Sequence, residues 1–355
     1  MATPREVLAA NRDSALRLVQ SAGTSRTRVL LEDSERELVQ RLAGIPGGAR
    51  TFTRVQMEAT LAQVRHVLYG LKDGMEDVLV EGAETGSAHA AAGTVEYLER
   101  AEREFRGTGT KSLALDEVSM FEEARVGARA SVLRRLASSG TDAPGASDAE
   151  HPARMGILDR YGVETIGHFE NELQKGLLAR LPWEDVKANL VSKSPFLQQK
   201  PGFWAERIVR TELMGAYNRA GWESIREADS QLGDMCKILS ATFDERTAAD
   251  SFAVHGQIRM PDEAFMSWFG LYQHPPNRPN DREIVVPHRI SWKIPDYLKW
   301  KDDGEVAARW RAEKRKGKPP ERPLMTTVDV GRFGADQPPP ARDDGGAPRE
   351  IPDDE

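Results

Sequence analysis

A chain of 355 residues exceeds what one hydrophobic core usually organises, so two modules with different cores, plus tails, are expected. With 39% hydrophobic and 30% charged residues, it has enough apolar material for both cores. It shows no apolar run long enough to cross a bilayer and no signal-peptide core in the opening MATPREVLAANRDSALRLVQ. The net charge of -7 argues against a general DNA-coating role, and the single Cys236 cannot form an intrachain disulfide or by itself build a zinc site.

Residues 1–137 read as a helical module. Val29, Leu30, Leu38, Val39 and Leu42 line a segment ended by Gly44. Val55, Met57, Leu61, Val64, Val67, Leu68 and Leu71 form a second helix, closed near Gly74. A third covers Val95 to Phe105, and a fourth runs from about Leu115 to Leu136. The stretch 138–153, SSGTDAPGASDAEHPA, lacks apolar bulk and reads as a linker. All seven tryptophans lie beyond it, which suggests a second core of different character.

Residues 154–317 form that second module. Phe169, Leu173, Leu177 and Leu178 mark one helix, Pro182 opens a short one through Val186 and Leu190, and Pro201-Gly202 opens a long one. Beyond Gly233 the pattern shortens: Cys236–Thr242 and Glu283–Arg289 read as strands, separated by about forty irregular residues. A basic helix follows. From Arg289 to Arg322 there are eleven Lys or Arg against six Asp or Glu, whereas Asp336 to Glu355 holds seven acids and two arginines. Residues 318–355, rich in Pro, Gly and Asp, read as a disordered tail. The fold class is therefore α+β, with a long-helix N-terminal module, a small α+β domain and a tail.

Three clusters stand out in the second module. The first is Arg210-Thr211-Glu212 with Tyr217-Asn218 and Gly221. The second is Asp244-Glu245-Arg246-Thr247, with Val254-His255-Gly256-Gln257 and Pro261-Asp262-Glu263-Ala264-Phe265. The third is His274-Pro275-Pro276 with Asn280-Asp281-Arg282-Glu283. Together, in this order, they resemble the Mu F-like minor head protein domain of tailed bacteriophages over residues 203 to 290, about a quarter of the chain. Many members of that family carry a Cys-x-x-Cys or Cys-x-x-His pair after the Asp-x-Arg-Thr element and Asn-Cys-Arg-Cys in the third cluster. Here Ala248 and Ser251 replace the first pair, and Asp281 and Glu283 the second. All four soft ligands are missing, so neither zinc nor any other cofactor is expected, and packing must hold the loops.

Arg–carboxylate pairs make directional bonds suited to fastening irregular chain to a helix. Arg210 or Arg246 is therefore expected to pair with Asp244 or Glu212, with Asn280 capping a turn. The same chemistry admits an enzymatic alternative, a nuclease, peptidase or ADP-ribosyltransferase-like activity built on Asp244, Arg246, His255 and His274. No nucleophile elbow, phosphate-cradling loop or H-E-x-x-H pair accompanies them, and Asp250 and His255 lie five apart, which is not a helical ligand spacing. The four read as scaffold, and no catalytic residue is assigned.

The resemblance implies a non-enzymatic head morphogenesis protein, made in the host cytoplasm and incorporated into the virion at the portal vertex or capsid interior. Its implied partners are the portal or major capsid protein, whose symmetry would set its copy number, and it implies a part in DNA packaging or ejection. No membrane partner is expected. Lys299, Lys301, Arg309, Arg311, Lys314, Arg315 and Lys316, interleaved with Trp292, Trp300 and Trp310, offer a face for packaged double-stranded DNA or an acidic surface. The plainer alternative is an amphipathic helix with a solvated basic side.

Overall fold

The computed structural model describes residues 3–18, 23–45, 51–106, 113–137, 157–193, 201–276, 281–299, 301, 303–313 and 319–320. The linker at 138–153 and, apart from Pro319 and Pro320, the tail at 318–355 lie outside them, as do Asn280, Trp300, Lys314, Arg315 and Lys316.

Helices dominate. In chain order they are α1 (Pro4–Leu18), α2 (Thr24–Ala43), α3 (Arg54–Arg106), α4 (Glu117–Ala137), α5 (Ile157–Leu178), α6 (Trp183–Lys193) and α7 (Pro201–Leu232), followed by the short α8 (Ala249–Val254) and α9 (Asp303–Ala312). The two strands expected from the sequence are present as β1 (Met235–Ser240) and β5 (Ile284–Arg289), so the α+β class holds. The intervening stretch is less irregular than its composition suggests, holding α8, β2 (Ile258–Arg259) and the hairpin of β3 (Phe265–Ser267) and β4 (Gly270–Tyr272). The main sheet is antiparallel in the order β2-β1-β5, with Ile238 opposite both Ile258 and Val286. All six residues of β1 are buried, as befits a central strand covered on both faces.

Two helices predicted from the sequence are one. The chain runs unbroken through α3 for 53 residues, past Gly74, Gly82 and Gly93. These glycines mark close crossings instead of helix ends. A Cβ on Gly82 would stand 2.7 Å from the Leu213 side chain of α7, and one on Gly93 would stand 2.4 Å from Asn11 of α1. The α2 stripe is also shifted. Its buried residues are Thr27, Leu31, Ser34, Leu38 and Leu42, while Val29 and Val39 face solvent.

The modules share one core. A continuous set of buried residues runs from Val7 in α1 through α2, α3, α4 and α7 to Val286 in β5 and on to Leu298. The reason is α7, whose apolar residues surround it on all sides: Ile208, Leu213, Ala216, Tyr217, Ala220 and Ile225 are all buried. It packs against α2, α3 and α4 and also against β1 and β5. Two of the tryptophans join the modules instead of separating them. Trp183 stacks on Phe52 with ring centroids 5.3 Å apart and donates to the Ile45 carbonyl, while Trp292 donates to Glu102 of α3 at 2.9 Å. Beside it, Arg289 reaches Asp234 at 2.7 Å and Glu102 at 3.3 Å, a buried network tying the far end of α3 to the sheet.

Candidate functional site

The three sequence clusters meet where the C-terminal half of the sheet opens into loops. Asn218 joins the first cluster to the third. It lies on α7 and is buried, and its amide nitrogen donates to the Met214 and Glu283 carbonyls at 3.0 Å each. Its carbonyl oxygen accepts the Val285 amide at 3.1 Å. One side chain thus satisfies the donor and acceptor that the start of β5 presents away from β1, a substitute for a further strand. Thr211 donates to the Arg207 carbonyl one turn back, Glu212 is buried, and the Tyr217 hydroxyl reaches the Asn11 carbonyl of α1 at 3.5 Å.

The loop after β1 folds around Asp244. Its oxygens receive Arg282 Nη1 at 2.5 Å and Nη2 at 2.6 Å, and the Arg246 backbone N–H at 2.8 Å. Thr247 accepts the Asp244 amide at 2.9 Å and donates to the Thr242 carbonyl. The Arg282 guanidinium, with these added donors, holds the Asp244 carboxyl below the usual carboxylate range. The pairing anticipated from the sequence is therefore corrected. Arg210 binds Glu206 one turn away on its own helix, and Arg246 serves through its main chain. The cap expected of Asn280 lies outside the described residues.

His255, Gly256 and Gln257 form the turn returning from α8 to the sheet. His255 is buried, and its Nδ1 accepts the Ala241 amide at 3.1 Å, with the Phe243 ring packed edge-on at 4.5 Å. Gly256 has φ of +78°, a conformation that favours glycine, and its N–H bonds to the Leu239 carbonyl at 2.8 Å. The buried Gln257 carboxamide bonds to both the N–H and the carbonyl of Met266 in β3, an anchoring role that its membership of the second cluster did not reveal. His274 packs beside Trp222, its Nδ1 2.9 Å from the carbonyl of the buried Pro275.

These loops enclose a small polar cleft of about 30 Å³. Ala248 and Ser251 line it from the α8 side, Asp281 and Glu283 from the start of β5, with Thr242 and Arg246 completing the wall. Asp281, Glu283 and Ser251 are buried. Among the described residues no group of three or more His, Cys, Asp or Glu is placed to hold a metal ion.

The basic segment is placed less openly than its composition implies. Helix α9 lies over the Asp244 loop: Arg309 donates to the Glu245 carbonyl, and Glu313 accepts the Ala249 amide at 2.6 Å. Lys301 stands over the Phe243 ring at 4.7 Å and pairs with Glu305, and Lys299 pairs with Asp296. Trp292 is in the core and Trp310 packs edge-on against Trp268 at 5.5 Å, so neither ring is a free stacking platform. Arg311 is exposed.

No family model, curated protein or solved structure matches this chain. No described helix is long and apolar enough to cross a membrane.

Proposed function

We propose that this chain is a Mu F-like minor head protein, a structural component that works by binding the portal or the inner capsid wall during head assembly. The observation that carries this reading is the cleft. Ala248, Ser251, Asp281 and Glu283 occupy the positions where members of that family carry two pairs of metal-type residues. They come from segments about thirty residues apart, yet all four line the same small space. The surrounding framework of Asn218, Asp244, Thr247, His255 and Arg282 closes the same two loops with hydrogen bonds and an ion pair.

In physical terms the sheet and its loops form a rigid plug on α7, and the helices α1 to α4 supply the extended surface through which such a protein docks. Residual positive charge at Arg311 and in the basic residues after it meets packaged DNA or an acidic protein face. The acidic residues from Asp336 onward compete for that charge. A reconstruction of the procapsid or virion tests the assignment. Density for this chain at the portal vertex or on the inner shell is the expected result; recovery of the chain only with free tails overturns it.

A further inference from the structure

Helices α3 and α4 leave an open cleft of about 530 Å³ between them, remote in sequence from the loops described above. Its floor is apolar, formed by Ala88 of α3 and by Val118 and Phe121 of α4. Val118 is 80% exposed although it sits in the first turn of a helix whose opposite face is fully packed, with Met120 and Ala124 at 0%. One bare valine is ordinary on a protein surface. Its setting is not, because acidic groups stand around it: Glu84, Glu117 and Glu122 line the rim. The rim's one guanidinium, Arg125, is bound to Glu122 at 2.7 Å, and Arg129 occupies Glu84 at 3.1 Å. Glu117 has no ion-pair partner among the described residues. The field extends well beyond the cleft, since residues 73–123 carry thirteen acids against four bases.

We propose that this cleft is a docking groove for an amphipathic basic helix of a partner protein. An apolar side chain of that helix enters between Ala88, Val118 and Phe121, and lysines or arginines beside it meet Glu117 first and then Glu84 and Glu122. Helix-in-groove recognition uses such a division, with apolar anchors for affinity and rim charge for register and approach. The same rim repels nucleic acid and acidic partners. The proposal does not depend on the head-protein reading, because it rests on the groove's own shape and charge.

The test uses the full chain and two fluorescent synthetic peptides, an amphipathic Leu–Lys helix and the same peptide with Glu for Lys, followed by anisotropy. The expected result is saturable binding of the Lys peptide, weakened by salt, and none of the Glu peptide. Val118→Asp is the discriminating variant, since it makes the groove more acidic while removing its apolar contact. It is expected to weaken binding at least about tenfold, and Glu117→Lys to weaken it several-fold. Both positions are exposed, and circular dichroism verifies that the helices persist. Binding that is unchanged or strengthened by Val118→Asp overturns the proposal in favour of bulk charge attraction. So does a dimer of this chain, seen by sedimentation, that Val118→Asp abolishes, since the groove is then filled by a second copy.

Discussion

Arg282 grips Asp244 with both terminal nitrogens, at 2.5 and 2.6 Å, across 38 residues of sequence. This pair closes the loop after β1 onto the segment entering β5. Arg246, only two residues from Asp244, contributes a backbone N–H. Arg282→Ala should therefore lower the urea midpoint, whereas Arg246→Ala should leave it unchanged. The Asp244 side chain is 36% exposed, so solvent screening limits the loss to about 1 kcal/mol. Because the carboxyl is held below its ordinary 3.8, this contribution is present above about pH 4 and fades as pH falls further. A midpoint that responds equally to both substitutions contradicts the assignment.

Asn218 is the most exacting polar residue of the module. Asn218→Leu leaves the Glu283 carbonyl and the Val285 amide without their buried partner, at about 1–3 kcal/mol for each group stranded. Asn218→Asp keeps the shape but cannot donate to the two carbonyls when ionised, so it should be at least as destabilising. Chemical denaturation of both variants measures this, and loss of amide protection at Val285 under hydrogen exchange locates it.

Lys237 gives stability an unusual pH dependence. It is fully buried in β1, its ammonium donating to the Gln273 carbonyl and side-chain oxygen and lying 4.9 Å from the Phe265 ring centre and 5.4 Å from that of Trp222. Burial pulls its pKa down to about 7. Between pH 7 and 10.5 the unfolded chain binds the proton and the folded one does not, so this group makes stability rise with pH, by up to about 1.4 kcal/mol per unit. The window from pH 7 to 9 is cleanest, because the buried Cys236 thiol, its pKa raised by desolvation, opposes the trend above that. Lys237→Met should abolish the slope in this window. An unaltered slope would falsify the account.

His288 acts in the opposite part of the scale. Enclosed by Phe105 and Trp292, it is pushed by burial down to about 4. Between pH 6.5 and 4 only the unfolded chain takes up this proton, so acidification through that range destabilises the fold. His288→Phe should flatten the acid limb of a thermal melting series; a limb of the same steepness would show that other groups cause it.

The glycines of α3 divide into two kinds. Gly70 is exposed, with nothing within 4 Å of an added Cβ, so Gly70→Ala should stabilise by about 0.5–1 kcal/mol through helix propensity alone. Gly82→Ala forces the Leu213 side chain aside and should destabilise. Melting temperatures moving in opposite directions identify the helix crossing.

What the sequence made legible was local. Pro201-Gly202 announces α7, and the short alternating stretch at 236–242 and the Ile-Val-Val stretch within 283–289 announce β1 and β5, because these signals concern the backbone of the residues that carry them. What it concealed was opposition. Gly74 reads as a stop until Leu30 is known to lie 3.1 Å from where its Cβ would be. Arg210 and Arg246 both read as partners for Asp244 or Glu212, yet the guanidinium that binds Asp244 is that of Arg282, 38 residues away. The bond from Trp292 to Glu102 spans 190 residues and leaves no trace in spacing or composition. The framework residues of the candidate site were visible as clusters, but Gln257's grip on β3 was not, since a buried carboxamide and a surface one look alike in a string of letters.

Helix α3 has a mechanical meaning beyond its part in the core. At 53 residues it is a beam of roughly 80 Å. Just before its first turn Phe52 is clamped to Trp183, and near its last turn Glu102 holds Arg289 and Trp292. A load applied to α6 or to the sheet is therefore borne along one hydrogen-bonded rod, and the chain should resist being pulled between these points better than it resists being peeled apart helix by helix.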